Sequence, residues 1–235
     1  MQKGGEQMSK KRIIYKNQDA ESMLKWRSKE ADVYLNLERN FHQILFIHKY
    51  KNLSQPRRIL EYGCAFGDLL AIIQTLNKEH TIYGVEVVEK VAHIAESQIG
   101  QDRVFIQSCE KKVPVKSSSI DIAFSFDMIE HVGSKKKIKQ MLKEINRVLK
   151  DDGLCIIVSP NFSWIMKLIY NFTGNNWMNN KEFHPNQYTM KQLIKEVEEE
   201  LEIKNIDKGF DLNFFTRILS KFGVYKHLCI VAGKK

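Results

Sequence analysis

The chain has 235 residues, 43% apolar, 28% charged and 10% aromatic, with only 12 Gly and 4 Pro. This composition excludes disordered, collagen-like and coiled-coil chains and suits one ordered domain with at most a small appendage. No apolar run approaches the roughly 20 residues that cross a bilayer, and the start Met1-Gln2-Lys3-Gly4-Gly5 has no apolar stretch behind it, so a cytoplasmic chain without a transmembrane segment is expected.

The formal charge is +9, but +4 of it lies in residues 1–16 and another +4 in residues 221–235, leaving a nearly neutral body. Basic tails, rather than a basic face, are therefore expected, which disfavours nucleic acid as the main partner. Cys64, Cys109, Cys155 and Cys229 form no C-x-x-C pair, so neither a zinc knuckle nor a disulfide framework is expected.

In chain order, a polar lead precedes a helix over residues 31 to about 50, with Val33, Leu37, Phe41, Ile44, Leu45 and His48 at helical spacing, closed by Pro56. Strands follow at 58–62, 81–86, 104–107, 120–126 and 154–159, with helices between them at 69–77, 88–98 and 136–149. Such alternation predicts a doubly wound, Rossmann-like α/β fold with a mostly parallel sheet. Beyond Pro160 come an aromatic, Asn-rich segment, a helix from Thr189 to about Leu201, and strands at 201–206 and 227–232 that can pair antiparallel at the sheet edge. Residues 1–55 are expected to be a tail and helix covering the site, and residues 56–235 a single domain with a lid-like insert at about 161–184.

The first strand runs through Glu61 into Gly63, Ala65 and Gly67 and then into a helix. Small residues there let a ligand approach the backbone. The spacing departs from the G-x-G-x-x-G dinucleotide fingerprint, which disfavours a nicotinamide dehydrogenase. Glu86 ends the second strand, where an acid can accept hydrogen bonds from ribose hydroxyls or simply face water.

With these motifs in order from Ile59 to Pro160, the sequence resembles the class I S-adenosylmethionine-dependent methyltransferases. The resemblance implies cofactor binding by Glu61, Gly63, Ala65, Gly67 and Glu86. The stretch from Lys112 to Asp127 looks like the family's approach to the fourth strand, and the stretch from Glu144 to Gly153 like its helix and turn before the fifth. Ser108 and Cys109 stand where the family often has an acid for the adenine amino group, so Ser108, backbone groups or a shifted Glu110 would take that role. Asp152 stands for a common Gly, and Asp tolerates left-handed backbone.

Asp127-Met128-Ile129-Glu130-His131 follows at the carboxyl end of the fourth strand, the ligand-binding edge of this architecture. Three readings are open there. Asp127, Glu130 and His131, joined by His184, would offer mixed oxygen and nitrogen donors to a divalent cation such as Mg. The pattern resembles that of the O-methyltransferases of ubiquinone synthesis and, with the later His, the metal-dependent 2′-O-methyltransferases of small RNAs. Alternatively, His131 is a metal-free general base. Or the Glu-His pair is structural and Asp127 holds the methionine amino group. The remaining histidines, His42, His48, His80, His93 and His227, read as surface or packing residues.

By the same resemblance, the lack of an Asp/Asn-Pro-Pro-aromatic run or a Pro-Cys pair disfavours methylation of exocyclic amines and of cytosine C5. The expected function is methyl transfer to an oxygen of a small-molecule acceptor. The alternatives are an RNA 2′-O-methyltransferase and a silent cofactor-binding module. Trp164, Ile165, Leu168, Ile169 and Phe172 fall on one face of a short helix that is expected to roof the site or pack on the sheet. Membrane contact is disfavoured there, because Lys167 is the only charge between Ser163 and Phe172.

Overall fold

The structure, a computed structural model, describes residues 30–207 and 225–235, and their side chains except those of residues 30–36 and Asn176. The expected N-terminal tail and residues 208–224 lie outside the described residues.

Helix α1 (Glu30–Tyr50) precedes strand β1 (Arg58–Tyr62), and then come α2 (Asp68–Leu76), β2 (Thr81–Glu86), α3 (Glu89–Ile99) and β3 (Val104–Ile106). After β4 (Ile120–Phe126) follow α4 (Lys135–Val148) and β5 (Leu149–Pro160). The chain then forms α5 (Trp164–Phe172), α6 (Met190–Glu198), β6 (Glu202–Asp207) and β7 (His227–Gly233). The sheet order is β3-β2-β1-β4-β5-β7-β6. Strands β1 to β5 pair in parallel, and β7 pairs antiparallel with both β5 and β6. The sheet is therefore Rossmann-like, with an antiparallel C-terminal strand as expected.

Both faces of the central strands are buried, because each face is covered by helices. Ile59, Ile82, Ile122, Phe124, Ile156 and Val158 point to one side, against Ile44 and Ile47 of α1, Leu70 and Ile73 of α2 and Ala95 of α3. Leu60, Val85, Ala123 and Ile157, one position out of phase, meet Ile138, Met141 and Ile145 of α4 and Leu193 and Val197 of α6. The helix starts are set locally. Ser134 caps α4 by accepting from Lys137 N, and Thr189 and Gln192 form a capping box on α6.

Three expectations are corrected. On α1, Leu37, Phe41 and Leu45 are exposed, whereas Asn40, Gln43, Ile44 and Ile47 are buried. Polar Asn40 and Gln43 lie on the inward side beside Ile44, so the hydrophobic spacing placed only part of the buried stripe. Strand β5 begins at Leu149, five residues early, because Ile120 pairs with Leu149 and Ile122 with Leu154, and the extra residues bulge out between them. Asp152 is not among the left-handed residues; its carboxylate accepts from Lys51 Nζ at 2.9 Å. Gly153 is required instead by space, since a Cβ there would lie 2.9 Å from the carbonyl oxygens of Ile120 and Lys150.

The C-terminal lysines are bound rather than free. Lys234 Nζ contacts Ser118 Oγ at 2.6 Å and Asp151 at 3.0 Å, and Lys235 Nζ donates to the Glu198 and Glu199 carbonyls. They sit at the amino edge of the parallel strands, since Gly233 pairs with Leu154 at the start of the parallel run of β5.

Candidate active site

The carboxyl edge of β1, β2 and β4 carries most of the residues singled out by sequence. Gly63, Ala65 and Gly67 all adopt left-handed backbone, with φ of 77°, 46° and 79°. The amides of Gly63 and Cys64 both donate to Val85 O, at 2.8 and 3.1 Å, which folds the loop back over β2. A Cβ on Gly63 would lie 2.5 Å from Met128 Cγ, and one on Gly67 would lie 3.1 Å from the Ala95 Cβ on α3. Glycine is thus demanded at both positions by conformation and by neighbours. Ala65 bears a conformation that costs a residue with a Cβ about 1–2 kcal/mol. Its amide donates to Glu86 Oε2 at 3.1 Å, which holds it there.

Glu86 also accepts from Val87 N and Val88 N, both at 2.8 Å through Oε1. Burial raises its pKa above the usual carboxylate range, against the opposing effect of those three amides. Glu61 is 5% exposed and its Oε2 has no hydrogen-bond partner. Burial lifts its pKa well above the usual range, opposed by the charge of Arg39 on α1.

Beyond β3, Ser108 Oγ donates to Glu110 Oε2, and Glu110 Oε1 pairs with Lys137 Nζ at 2.6 Å. Burial would raise the Glu110 carboxyl, but the bonds from Lys137 and Ser108 outweigh it and hold the group below its ordinary value. Burial raises the Cys109 thiol to about 11, so at neutral pH it is protonated. All four cysteines are free.

At the end of β4, Asp127 also has left-handed backbone, with φ of 47°, and its amide donates to Val158 O at 3.0 Å. Its Oδ1 is buried without a hydrogen-bond partner and lies 3.9 Å from His227 Nε2. Glu130 is 1% exposed; its Oε2 accepts from Ser159 Oγ at 3.1 Å, and its Oε1 has no hydrogen-bond partner. Burial, and then the charge of Asp127, push the Glu130 carboxyl well above the usual range.

His131 Nδ1 lies 2.7 Å from Phe183 O, and His184 Nδ1 lies 3.0 Å from Met178 O. A carbonyl only accepts, so each Nδ1 carries the proton and each Nε2 keeps its lone pair. The two rings are 4.8 Å apart. Burial, then the neighbouring His131, lower the His184 pKa and keep it neutral. The approach of His184 is fixed by a backbone zipper, in which Asn186 N donates to Glu130 O at 3.1 Å and Asn186 Nδ2 to Val132 O.

Of the proposed ligands Asp127, Glu130, His131 and His184, no three converge on one point. Among the described residues no group of three or more His, Cys, Asp or Glu side chains is placed to hold a metal ion. The reason is local: Glu130 is held by Ser159 inside the core and Asp127 faces His227, so the Nε2 atoms of His131 and His184 have no third donor converging with them. The donors present do not fit a divalent cation. Sequence reading passed over Ser159 and Asn186 and took His227 for a surface or packing residue. Only the antiparallel pairing of Pro160 with His227 brings the last of these to the site.

Residues 60–157 match a family described as "Methyltransferase domain". An uncharacterized protein of Methanocaldococcus jannaschii is 30% identical over 123 residues, which is 51% of this chain and 44% of that protein. The chain thus spans less than half the length of this curated relative. The PH0226 protein of Pyrococcus horikoshii has the same fold, with a TM-score of 0.63 at 14% identity over 88% of this chain and 93% of that one. The geranyl diphosphate C-methyltransferase of Streptomyces coelicolor, solved with Mg2+, geranyl diphosphate and S-adenosyl-L-homocysteine, gives 0.59 at 14% identity over 88% and 85%. The match to a methyltransferase-domain family spans the glycine loop and the carboxyl ends of β1, β2 and β4. The left-handed loop and the orphaned carboxylates suit a cofactor such as S-adenosylmethionine: Glu61 and Asp127 each leave a buried oxygen without a hydrogen bond, and a ligand with an ammonium and a sulfonium would supply the missing positive charge.

Proposed function

We propose that this methyltransferase domain transfers a methyl group from S-adenosylmethionine to an oxygen of a small amphiphilic acceptor. When bound, the cofactor supplies an electrophilic methyl on a sulfonium. Gly63, Ala65 and Gly67 give it close backbone approach, Glu86 takes the ribose, Ser108, Cys109 and Glu110 border the adenine, and Glu61 and Asp127 answer its positive charge. Methyl transfer is an in-line displacement, so alignment contributes most of the acceleration.

A hydroxyl acceptor must also lose its proton, and His131 is the residue for that step. Its Nε2 has its lone pair free, and its side chain is half exposed at the mouth of the site. The Glu130 Oε1 atom, 3.9 Å from that Nε2, stabilises the imidazolium as it forms. His184, kept neutral, holds the ring face and lets an apolar acceptor lie against it. This pair of free Nε2 atoms beside the two orphaned carboxylates is the observation that carries the reading. The likeness to a geranyl diphosphate methyltransferase supports an acceptor with an apolar body, while the basic pair favours oxygen over carbon.

We further infer that residues 1–55 cover the site, that 56–235 act as one domain, and that the insert at about 161–184 roofs the acceptor. RNA is the weaker acceptor class, because Lys234 and Lys235 are engaged at the opposite edge. The test is transfer of labelled methyl from the cofactor into solvent-extractable products of a cell extract. Label released by hydriodic acid as methyl iodide marks an oxygen acceptor, whereas label retained on carbon overturns that part of the reading. Absence of any heat on titrating S-adenosylhomocysteine overturns the whole.

A further inference from the structure

The aromatic face of α5 is not packed. Trp164 is 72% exposed and Phe172 88%, and Leu168 and Ile169 between them are also exposed, while Met166 and Tyr170 on the opposite side are buried. That inward side closes a small core of its own with Phe162 and Met178. The aromatic face is therefore not packed on the sheet, one of the placements that the sequence allows for it. Trp177 and Phe183, further along the insert, are exposed as well. Both adjoin the histidine pair: the Trp177 ring lies 5.6 Å from His184, and the Phe183 carbonyl holds His131. The apolar surface thus runs from α5 to the mouth of the candidate active site.

Charge around this face is mostly positive. Helix α5 has no acid, and from Asn161 to Thr189 the charged residues are Lys167, Lys181 and the single acid Glu182. The fold adds Lys226, whose carbonyl accepts from Asn161 N at 2.8 Å just before α5. Asn179 Nδ2, bonded to Lys167 O at 3.0 Å, brings the Lys181 turn to the other flank. Sequence reading counted only Lys167; the tertiary structure brings the backbone of Lys226 and the turn at Lys181 and Glu182 beside α5. Exposed Trp and Phe amid lysines, on a chain of net charge +9, match the apolar and anionic layers of a lipid surface.

We propose that this face docks on an anionic lipid bilayer, so that the acceptor enters the site from the membrane. The inference rests on the methyltransferase reading only for what the acceptor does next. No span is involved: no described helix is long and apolar enough to cross a membrane. The face would lie in the headgroup layer with α5 parallel to the surface.

The full chain is tested by sedimentation with vesicles of phosphatidylcholine alone or mixed with phosphatidylglycerol. The expected result is binding to the anionic vesicles, weakened by salt. In W164D/F172D the vesicle affinity should fall roughly tenfold or more. Both side chains are exposed, so folding and S-adenosylhomocysteine binding, measured by calorimetry without vesicles, stay at the wild-type level. Brominated lipid should quench tryptophan emission in wild-type protein and less in W164F. Equal vesicle binding by wild type and W164D/F172D overturns the proposal and assigns any binding to the basic tails. A dimer in sedimentation velocity that W164D/F172D abolishes, with no vesicle binding by wild type, overturns it in favour of a second copy. The cofactor titration without vesicles fails only if the methyltransferase reading fails, so the two failures are distinct.

Discussion

The imidazoles of His131 and His184 stand 4.8 Å apart, each tied through Nδ1 to a carbonyl of the insert between β5 and α6. The insert therefore sets the tautomer of the residue on the β4 loop. His131→Ala should lower kcat by about 10²–10⁴-fold, the range of a lost general base, and leave S-adenosylhomocysteine affinity unchanged. His131→Gln, which keeps a donor for Phe183 O, should be equally slow. Steady-state rates beside calorimetry decide this, and wild-type kcat in either variant would remove His131 from proton transfer.

Glu130 gives a stability prediction with a definite sign. Its folded-state pKa lies above the ordinary 4.5, so between those values the folded chain binds more protons than the unfolded one. The stability from Glu130 is then complete below about 4.5 and is lost as pH rises through the raised value. Glu130→Gln keeps an acceptor for Ser159 and removes this loss. Its melting temperature should exceed wild type by a few degrees at pH 8 and converge with it at pH 5. A gain that is larger at pH 5 would contradict the assignment.

In the glycine loop, opposite substitutions should move stability in opposite directions. Gly63→Val places a β-branched side chain at φ 77° and against Met128, so it should lose cofactor binding and unfold several degrees earlier. Ala65→Gly relieves a left-handed Cβ. After the entropy cost of glycine in the unfolded chain, a net gain of about 0.5–1 kcal/mol is expected in urea unfolding.

Glu86 joins the loop to β2 through the Ala65 amide and accepts from the Val87 and Val88 amides that follow it. Glu86→Gln loses the charge-assisted acceptor and should weaken S-adenosylhomocysteine binding by roughly tenfold or more. Glu86→Ala should also destabilise the chain, because the amides of Ala65, Val87 and Val88 lose their partner. Calorimetry and thermal unfolding separate the two effects, and unchanged affinity in Glu86→Gln would exclude contact with the ribose.

The sequence by itself determined the order of strands and helices, because most strands, β6 apart, are apolar runs of the right length bounded by turn residues or capped helices. It also located the loop from Glu61 to Gly67 and the acidic strand end at Glu86, since those depend on a handful of neighbours in the chain. What only the tertiary structure decided depends on groups far apart in sequence. The outward turn of Trp164 and Phe172 follows from Met166 and Tyr170 filling the inner side of α5, a choice that two apolar faces on one helix leave open to periodicity. The meeting of His131 with His184, and of Asp127 with His227, is set by the zipper at Asn186 and by the antiparallel pairing of β7. The cation set suggested by residue types fails for the same reason: spacing brings four ligand-type residues to one edge, but hydrogen bonds to carbonyls and to Ser159 decide where their free atoms point.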